Sequence, residues 1–184
     1  IGLSATQRPL QRIADFLGGQ KYRARDDTFH PRPVTIVECP RHKKLLLQVL
    51  SPVDDFSDLP QPTVWPSVIQ TLYNLIRQHK TTLIFANMRA QAEKIARQLN
   101  ELHRQQTGDP QTELVFPHHG SMSREMRSEI ENRLKNGTLP AVVATASLEL
   151  GIDIGSIDLV VQLEAPKSIS GSLQRIGRSG HMLG

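Results

Sequence analysis

A chain of 184 residues with 38% hydrophobic and 22% charged side chains can bury a core of its own, hiding about 70% of the surface its unfolded form exposes. Its 22 Lys and Arg against 18 Asp and Glu leave a net charge of +4, which permits nucleic acid as a partner but does not argue for it. Cys39 is the only cysteine, which excludes an internal disulfide and a Cys-based metal cluster and fits a reduced, cytoplasmic setting; no apolar run approaches the roughly 20 residues of a membrane span.

In chain order, Ile1-Gly2-Leu3 reads as a strand end. A helix follows, with Thr6 as N-cap, Pro9 in its first turn, Leu10, Ile13, Ala14 and Leu17 at helical spacing, and Gly18-Gly19 as its stop. Residues 20–33 are polar and unpatterned and are expected to form a loop. Strands are expected over 34–38 and 45–50, split by a turn at Pro40-Arg41-His42, with a Pro-rich acidic linker over 51–66. The chain begins without Met or a signal peptide and stops after a dense Gly/Arg stretch, so both ends are expected to belong to something larger.

Beyond Pro66, helix and strand alternate. Val68, Ile69, Leu72, Leu75 and Ile76 mark a helix, 82–86 a strand, and Ala92, Ile95, Ala96, Leu99 and Leu102 a helix from about Arg89. A strand over 113–116 leads to the turn His118-His119-Gly120-Ser121 and a helix capped by Ser123, with Met126, Ile130 and Leu134 on one face and Gly137 beyond its end. Strands over 141–144 and 159–163, a short helical turn between them and a last helix from about Ser170 complete the chain. Apolar strands alternating with amphipathic helices predict an α/β fold, a parallel sheet covered on both faces. In such sheets ligands sit beyond the carboxyl ends of the strands. The segments to search are therefore 87–89, 118–121, 145–153 and 164–181.

Those segments carry a resemblance. Gln174-Arg175-Ile176-Gly177-Arg178-Ser179-Gly180-His181 resembles motif VI of superfamily 2 helicases, and Ala144-Thr145-Ala146-Ser147-Leu148-Glu149-Leu150-Gly151-Ile152-Asp153 resembles motif V. Leu83-Ile84-Phe85-Ala86-Asn87 resembles motif IV, His119-Gly120 the turn that follows it, and Ser4-Ala5-Thr6 motif III. The form of motif V, the His118–Ser121 turn, the Trp65-Pro66 start of the first sheet helix and the Gly-His ending are similar to the large helicase-related (Lhr) group. The resemblance implies a RecA-like fold of the phosphate-loop NTPase type. Residues 1–33 would be the end of a first motor domain plus a linker, and 34–184 the second motor domain.

It also implies roles. An arginine finger stabilises the charge spread over phosphate oxygens in phosphoryl transfer and is typically worth ~10³–10⁵ in rate; Arg178 matches that position. His181 stands where many relatives carry a further arginine, so its contact with ATP would depend on pH. Arg175 belongs to the same ATP-binding set and organises the motif internally. Gly177 and Gly180 would give the segment backbone freedom. Asp153 resembles the carboxylate that holds the nucleotide ribose, with Gly151 and Ile152 beside it. Asn87, Arg89, Gly120, Ser121 and Thr145 would hold the backbone of DNA or RNA, contacts that position without reading sequence.

No Gly-x-x-x-x-Gly-Lys-Ser/Thr loop and no Asp-Glu-x-Asp/His box occurs in the sequence; Asp26-Asp27 and Asp54-Asp55 lack that pattern. ATP hydrolysis is therefore expected only with the first motor domain, which would hold Mg²⁺, and not in this chain alone. Plainer readings stand beside these. Arg175 and Arg178 could be helix-terminal charges, Asp153 a turn cap, Thr145 a strand end, Asn87 the N-cap of the helix behind it. His118 and His119 have no third ligand spaced to join them in a metal site, so a structural or phosphate-contacting role is favoured. Gly177–Gly180 also matches the Gly-x-x-Gly loop of KH modules, against the parallel α/β pattern. The rival to the motor is a non-enzymatic nucleic-acid-binding or regulatory module.

Overall fold

The structure is a computed structural model that describes residues 2, 9–38, 46–53, 55, 63–149 and 154–180. The chain divides into two compact units, Ile1–Val49 and Leu50–Gly184.

In the first unit, α1 spans Leu10–Gly18 and buries Ala14, leaving Phe16 88% exposed. Pro9 is its N-cap rather than a first-turn residue, and the expected cap Thr6 lies outside the described residues, as do Ser4 and Ala5. Gly19 ends it at φ 60°, its N–H donating to the Asp15 carbonyl at 3.0 Å. A Cβ on Gly18 would lie 2.8 Å from the Arg32 carbonyl oxygen and from Val34, so glycine lets the returning chain pass close.

The expected loop over 20–33 is instead an antiparallel hairpin of β1 (Gln20–Arg23) and β2 (Thr28–Pro31). Tyr22 pairs with Phe29, ring centroids 5.4 Å apart, and residues 24–27 make the turn, with Asp27 at φ 52°. Cross-strand aromatic contact stabilises such a pair, and four-residue polar strands are too short to show alternation. The strands expected over 34–38 and 45–50 do not form in their described parts. Val37, Leu46 and Val49 are at least 85% exposed there, apolar residues without a strand or core to join. The turn at 40–42 lies outside the described residues.

In the second unit, four parallel strands lie in the order β4-β5-β3-β6, with β3 at Thr82–Phe85, β4 at Val115–His118, β5 at Ala141–Ala144 and β6 at Leu159–Gln162. Every residue of β3 and β5 is buried, as expected of inner strands covered on both faces. One face holds α2 (Trp65–Gln78) and α3 (Arg89–Thr107), whose Ile69, Leu72, Ile76, Ile95 and Leu99 pack on Ile84 and Val143. Against the other, α4 (Arg124–Lys135) packs Ile130 and Leu134 with Leu83, Phe85 and Val142. A last helix, α5 (Ile169–Ile176), begins at Ser168, whose hydroxyl accepts from Gly171 N–H at 3.1 Å.

Boundary shifts have local causes. Strand β4 starts two residues later than expected because Asn100, buried on α3, takes the N–H groups of Leu114 and Val115 on its side-chain oxygen, both at 2.9 Å, and donates to the Val115 carbonyl at 2.8 Å. Ser123 caps α4 as expected, accepting from Met126 N–H at 3.2 Å. Met126 itself is 56% exposed and does not share the buried face of Ile130 and Leu134; it sits in the first turn, before the helix reaches the core. Among the described residues no helix is long and apolar enough to cross a membrane.

Candidate functional site

Two polar clusters flank the carboxyl ends of the strands. The first gathers the turns that follow β3, β4 and β5. Arg89, exposed at the start of α3, donates from Nη1 to the Ser121 hydroxyl at 2.8 Å, tying two turns together. Thr145 N–H donates to the His118 carbonyl at 3.1 Å, and its hydroxyl makes no cap bond to the 3₁₀ turn it precedes, Ala146–Leu148. Gly120 is exposed with open space where a Cβ would stand.

Asn87 is brought to the same edge, but its donors are committed within the chain. Its side-chain amide donates to the Glu164 carboxylate at 3.3 Å and to the Ala165 carbonyl at 3.1 Å, and its backbone N–H donates to Gln91 Oε1 at 3.3 Å. Gln91 completes the ring by donating to the other Glu164 oxygen at 2.9 Å. The N-cap of α3 is Met88, without a side-chain cap bond, so the capping reading of Asn87 is wrong. Its role is to tie β3 to the segment after β6, where Glu164 stands at φ 60°, a conformation that costs a non-glycine residue of order 1 kcal/mol or more.

The two histidines of the turn after β4 are both buried and have separate partners. His118 faces the Ser147 hydroxyl through Nδ1 at 2.8 Å and Glu131 through Nε2 at 3.0 Å; His119 meets Glu93 through Nε2 at 2.8 Å. Burial pulls the His118 pKa below the usual value; Glu131 opposes that pull, while Arg127 and His119 add to it. Among the described residues no group of three or more His, Cys, Asp or Glu could hold a metal ion.

The second cluster centres on Glu149. Arg175 is 7% exposed, donates from Nε and Nη2 to the Glu149 carboxylate and from Nη1 to Gln162 Oε1 at 2.7 Å, and lies 5.0 Å over the Phe85 ring. Arg178, half-buried, donates from Nε and Nη2 to the Glu149 carbonyl, the first at 3.2 Å. Burial pulls its pKa down, yet a guanidinium remains charged in any protein. The segment is closed by Gly180 N–H donating to the Ile157 carbonyl at 2.7 Å. Gly180 is left-handed at φ 61°, whereas Gly177, at φ −58°, is ordinary helical backbone, so the expected backbone freedom is used only at Gly180.

Motif V and motif VI thus meet on one residue, Glu149, whose place within motif V carries no sign of this role. Gln162, Glu164, Gln91 and Ser147 carry no sequence signal of their roles: Gln162 meets Arg175 across 13 residues, Ser147 meets His118 across 29 and Gln91 meets Glu164 across 73, contacts only the fold makes. Gly151, Ile152, Asp153 and His181 lie outside the described residues.

Comparison with known proteins places this geometry. The helicase conserved C-terminal domain family matches residues 67–182. The chain is 40% identical over 210 residues to the Lhr helicase/probable uracil glycosylase of Mycolicibacterium smegmatis, covering 100% of this chain and 13% of that protein. It is 45% identical over 183 residues to the ATP-dependent helicase Lhr-Core of Methanocaldococcus jannaschii, covering 100% of this chain and 20% of that one. The structure of Mycobacterium smegmatis helicase Lhr bound to ssDNA and AMP-PNP superposes with a TM-score of 0.89 at 45% identity, over 100% of this chain and 22% of that chain. The chain therefore spans a fifth or less of the length of these two curated relatives. With its four-stranded parallel sheet and its joined motifs V and VI, it belongs to the helicase conserved C-terminal domain family, as an Lhr-type, RecA-like domain of superfamily 2.

Proposed function

We propose that this chain supplies the second motor half of an ATP-dependent helicase. Residues 1–33 end a first motor domain and link it to the second, 34–184. The first domain carries the phosphate loop and the Asp-Glu box and holds Mg²⁺, so this chain alone does not hydrolyse ATP. Arg178 is the arginine finger. Arg175 holds Glu149 in place, and it reaches ATP only by giving up one of its present partners. Gly151, Ile152 and Asp153 take the nucleotide's ribose side, and His181 a phosphate oxygen. Arg89, Gly120, Ser121 and Thr145 grip the backbone of single-stranded DNA or RNA, with Asn87 joining them if its internal bonds exchange. A reduced, cytoplasmic setting goes with this reading.

The observation that carries it is the mounting of Arg178 on the Glu149 carbonyl, directly beside a buried Arg175–Glu149 pair. Arg175 is committed to Glu149 and Gln162, and the half-buried Arg178 beside it is the guanidinium placed to meet a polyphosphate. A preset cation costs no reorganisation when charge develops on the transferring phosphoryl group. The test is nucleic-acid-stimulated ATPase of the whole protein, of its Arg178→Ala variant and of the isolated chain. A silent isolated chain and a loss of at least ~10² in the variant are expected. Full activity of the variant sinks the finger assignment, and a whole protein without ATPase leaves the binding-module rival.

A further inference from the structure

We infer that His118 is a positioning residue for Arg178: with Ser147 it pins the 3₁₀ turn that ends in Glu149, on whose carbonyl Arg178 is held. The inference rests on the motor reading above and gives His118 and Ser147 a specific role within it.

The turn Ala146–Leu148 is short, closed by Glu149 N–H donating to the Ala146 carbonyl at 3.1 Å. Such 3₁₀ pieces have poor hydrogen-bond geometry of their own, and this one is fastened from outside. The His118 carbonyl receives Thr145 N–H at 3.1 Å and the Ser147 hydroxyl at 2.9 Å, while the His118 ring meets the same hydroxyl at 2.8 Å. At its far nitrogen the ring is fixed by Glu131 of α4 at 3.0 Å. A ring only 1% exposed therefore joins β4, α4 and the turn. At the turn's other end, the Glu149 carbonyl bears Arg178 and its carboxylate bears Arg175.

Neutral His118 donates from Nε2 to Glu131, leaving Nδ1 to accept the Ser147 proton, which then no longer goes to the His118 carbonyl. In the charged ring Nδ1 donates to Ser147 Oγ, and the hydroxyl turns to the His118 carbonyl. Arg127 and His119 also act on the ring electrostatically, yet the link to Ser147 survives in either state. The pin is thus steric and directional rather than a pH switch. Misplacing a reacting group by about 1 Å costs up to ~10²-fold in rate, which is the leverage such a pin exerts on a finger.

Three substitutions in the whole protein separate positioning from mere core filling. The shorter His118→Asn keeps an acceptor where Nδ1 stands and gives up Glu131. His118→Gln reaches Glu131 and gives up Ser147. Ser147→Ala, at a half-buried position, removes only the hydroxyl. The expected result is that Gln and the Ser147 variant lower ATPase kcat about tenfold or more with KM for ATP nearly unchanged, while Asn stays within about threefold. Amide hydrogen exchange over residues 145–149, which needs no activity, is expected to quicken in His118→Gln and Ser147→Ala and not in His118→Asn. Equal losses in Asn and Gln, or a Ser147→Ala protein unchanged in both kcat and exchange, overturn the proposal. Should the wild type lack ATPase, the motor reading falls and the role in placing Arg178 for turnover falls with it; the exchange pattern then reports on the pin alone.

Discussion

Around Glu149 and at the turn after β4, arginines are held in opposite ways. Arg175 is buried and gives three of its nitrogens to partners inside the chain, while Arg178 rests half-buried on the Glu149 carbonyl. Arg89 is exposed and meets the equally exposed Ser121 through a 2.8 Å bond. A buried ion pair resists parting because either member left alone faces several kcal/mol of desolvation. An exposed contact is contested by water and salt and is worth at most about 1 kcal/mol. The first region is built to keep one geometry. The second can change partners, as the proposed grip on a phosphate backbone requires.

The sharpest way to break this comparison is Glu149→Ala. It strands the buried Arg175 charge and is expected to cost about 3–5 kcal/mol, read from urea unfolding of the chain; a loss below about 1 kcal/mol would mean that Glu149 is not what holds Arg175. A smaller effect comes from pH. His118 and His103 both have pKa values lowered chiefly by burial. The unfolded chain therefore binds protons first as pH falls through the ordinary histidine value of 6.5, so stability is full above it, declines below it and levels off under the folded values. The melting temperature is expected to drop between pH 8 and 5.5, less so in His118→Asn, and a rise on acidification would contradict the assignment.

At the exposed region the effects shrink and change kind. In the whole protein, Arg89→Ala is expected to weaken single-strand binding at low salt and to flatten the dependence of log affinity on log salt by about 0.7, while moving chain stability by under ~0.5 kcal/mol. Ser121→Ala is the smallest change, below about 1 kcal/mol in binding, because a neutral hydroxyl is lost and the guanidinium remains. An Arg89→Ala protein with an unaltered salt slope would remove Arg89 from the nucleic-acid contact.

The difference between the regions also explains what the sequence discloses. Strands such as Thr82–Phe85 and Ala141–Ala144 are buried on both faces, so they read as runs that are apolar but for Thr82, and the helices between them show their period. The hairpin Gln20–Pro31 was hidden because its two strands are exposed and polar, and its stabilising Tyr22–Phe29 contact exists only once they pair. Arg175 and Arg178 were legible through their motif, but their partner Glu149 lies 26 and 29 residues away. Asn87 looked like a cap or a phosphate donor, and only the approach of Glu164, 77 residues on, commits its amide elsewhere.

The division of labour itself is tested by one comparison, single-turnover ATP hydrolysis by the whole protein titrated with single-stranded nucleic acid, for Arg178→Ala beside Arg89→Ala. The first variant is expected to lose at least ~10² in maximal rate at unchanged half-saturating nucleic acid. The second is predicted to keep its maximal rate and require several-fold more nucleic acid. A maximal rate that survives in Arg178→Ala, or that collapses equally in both, would contradict that division.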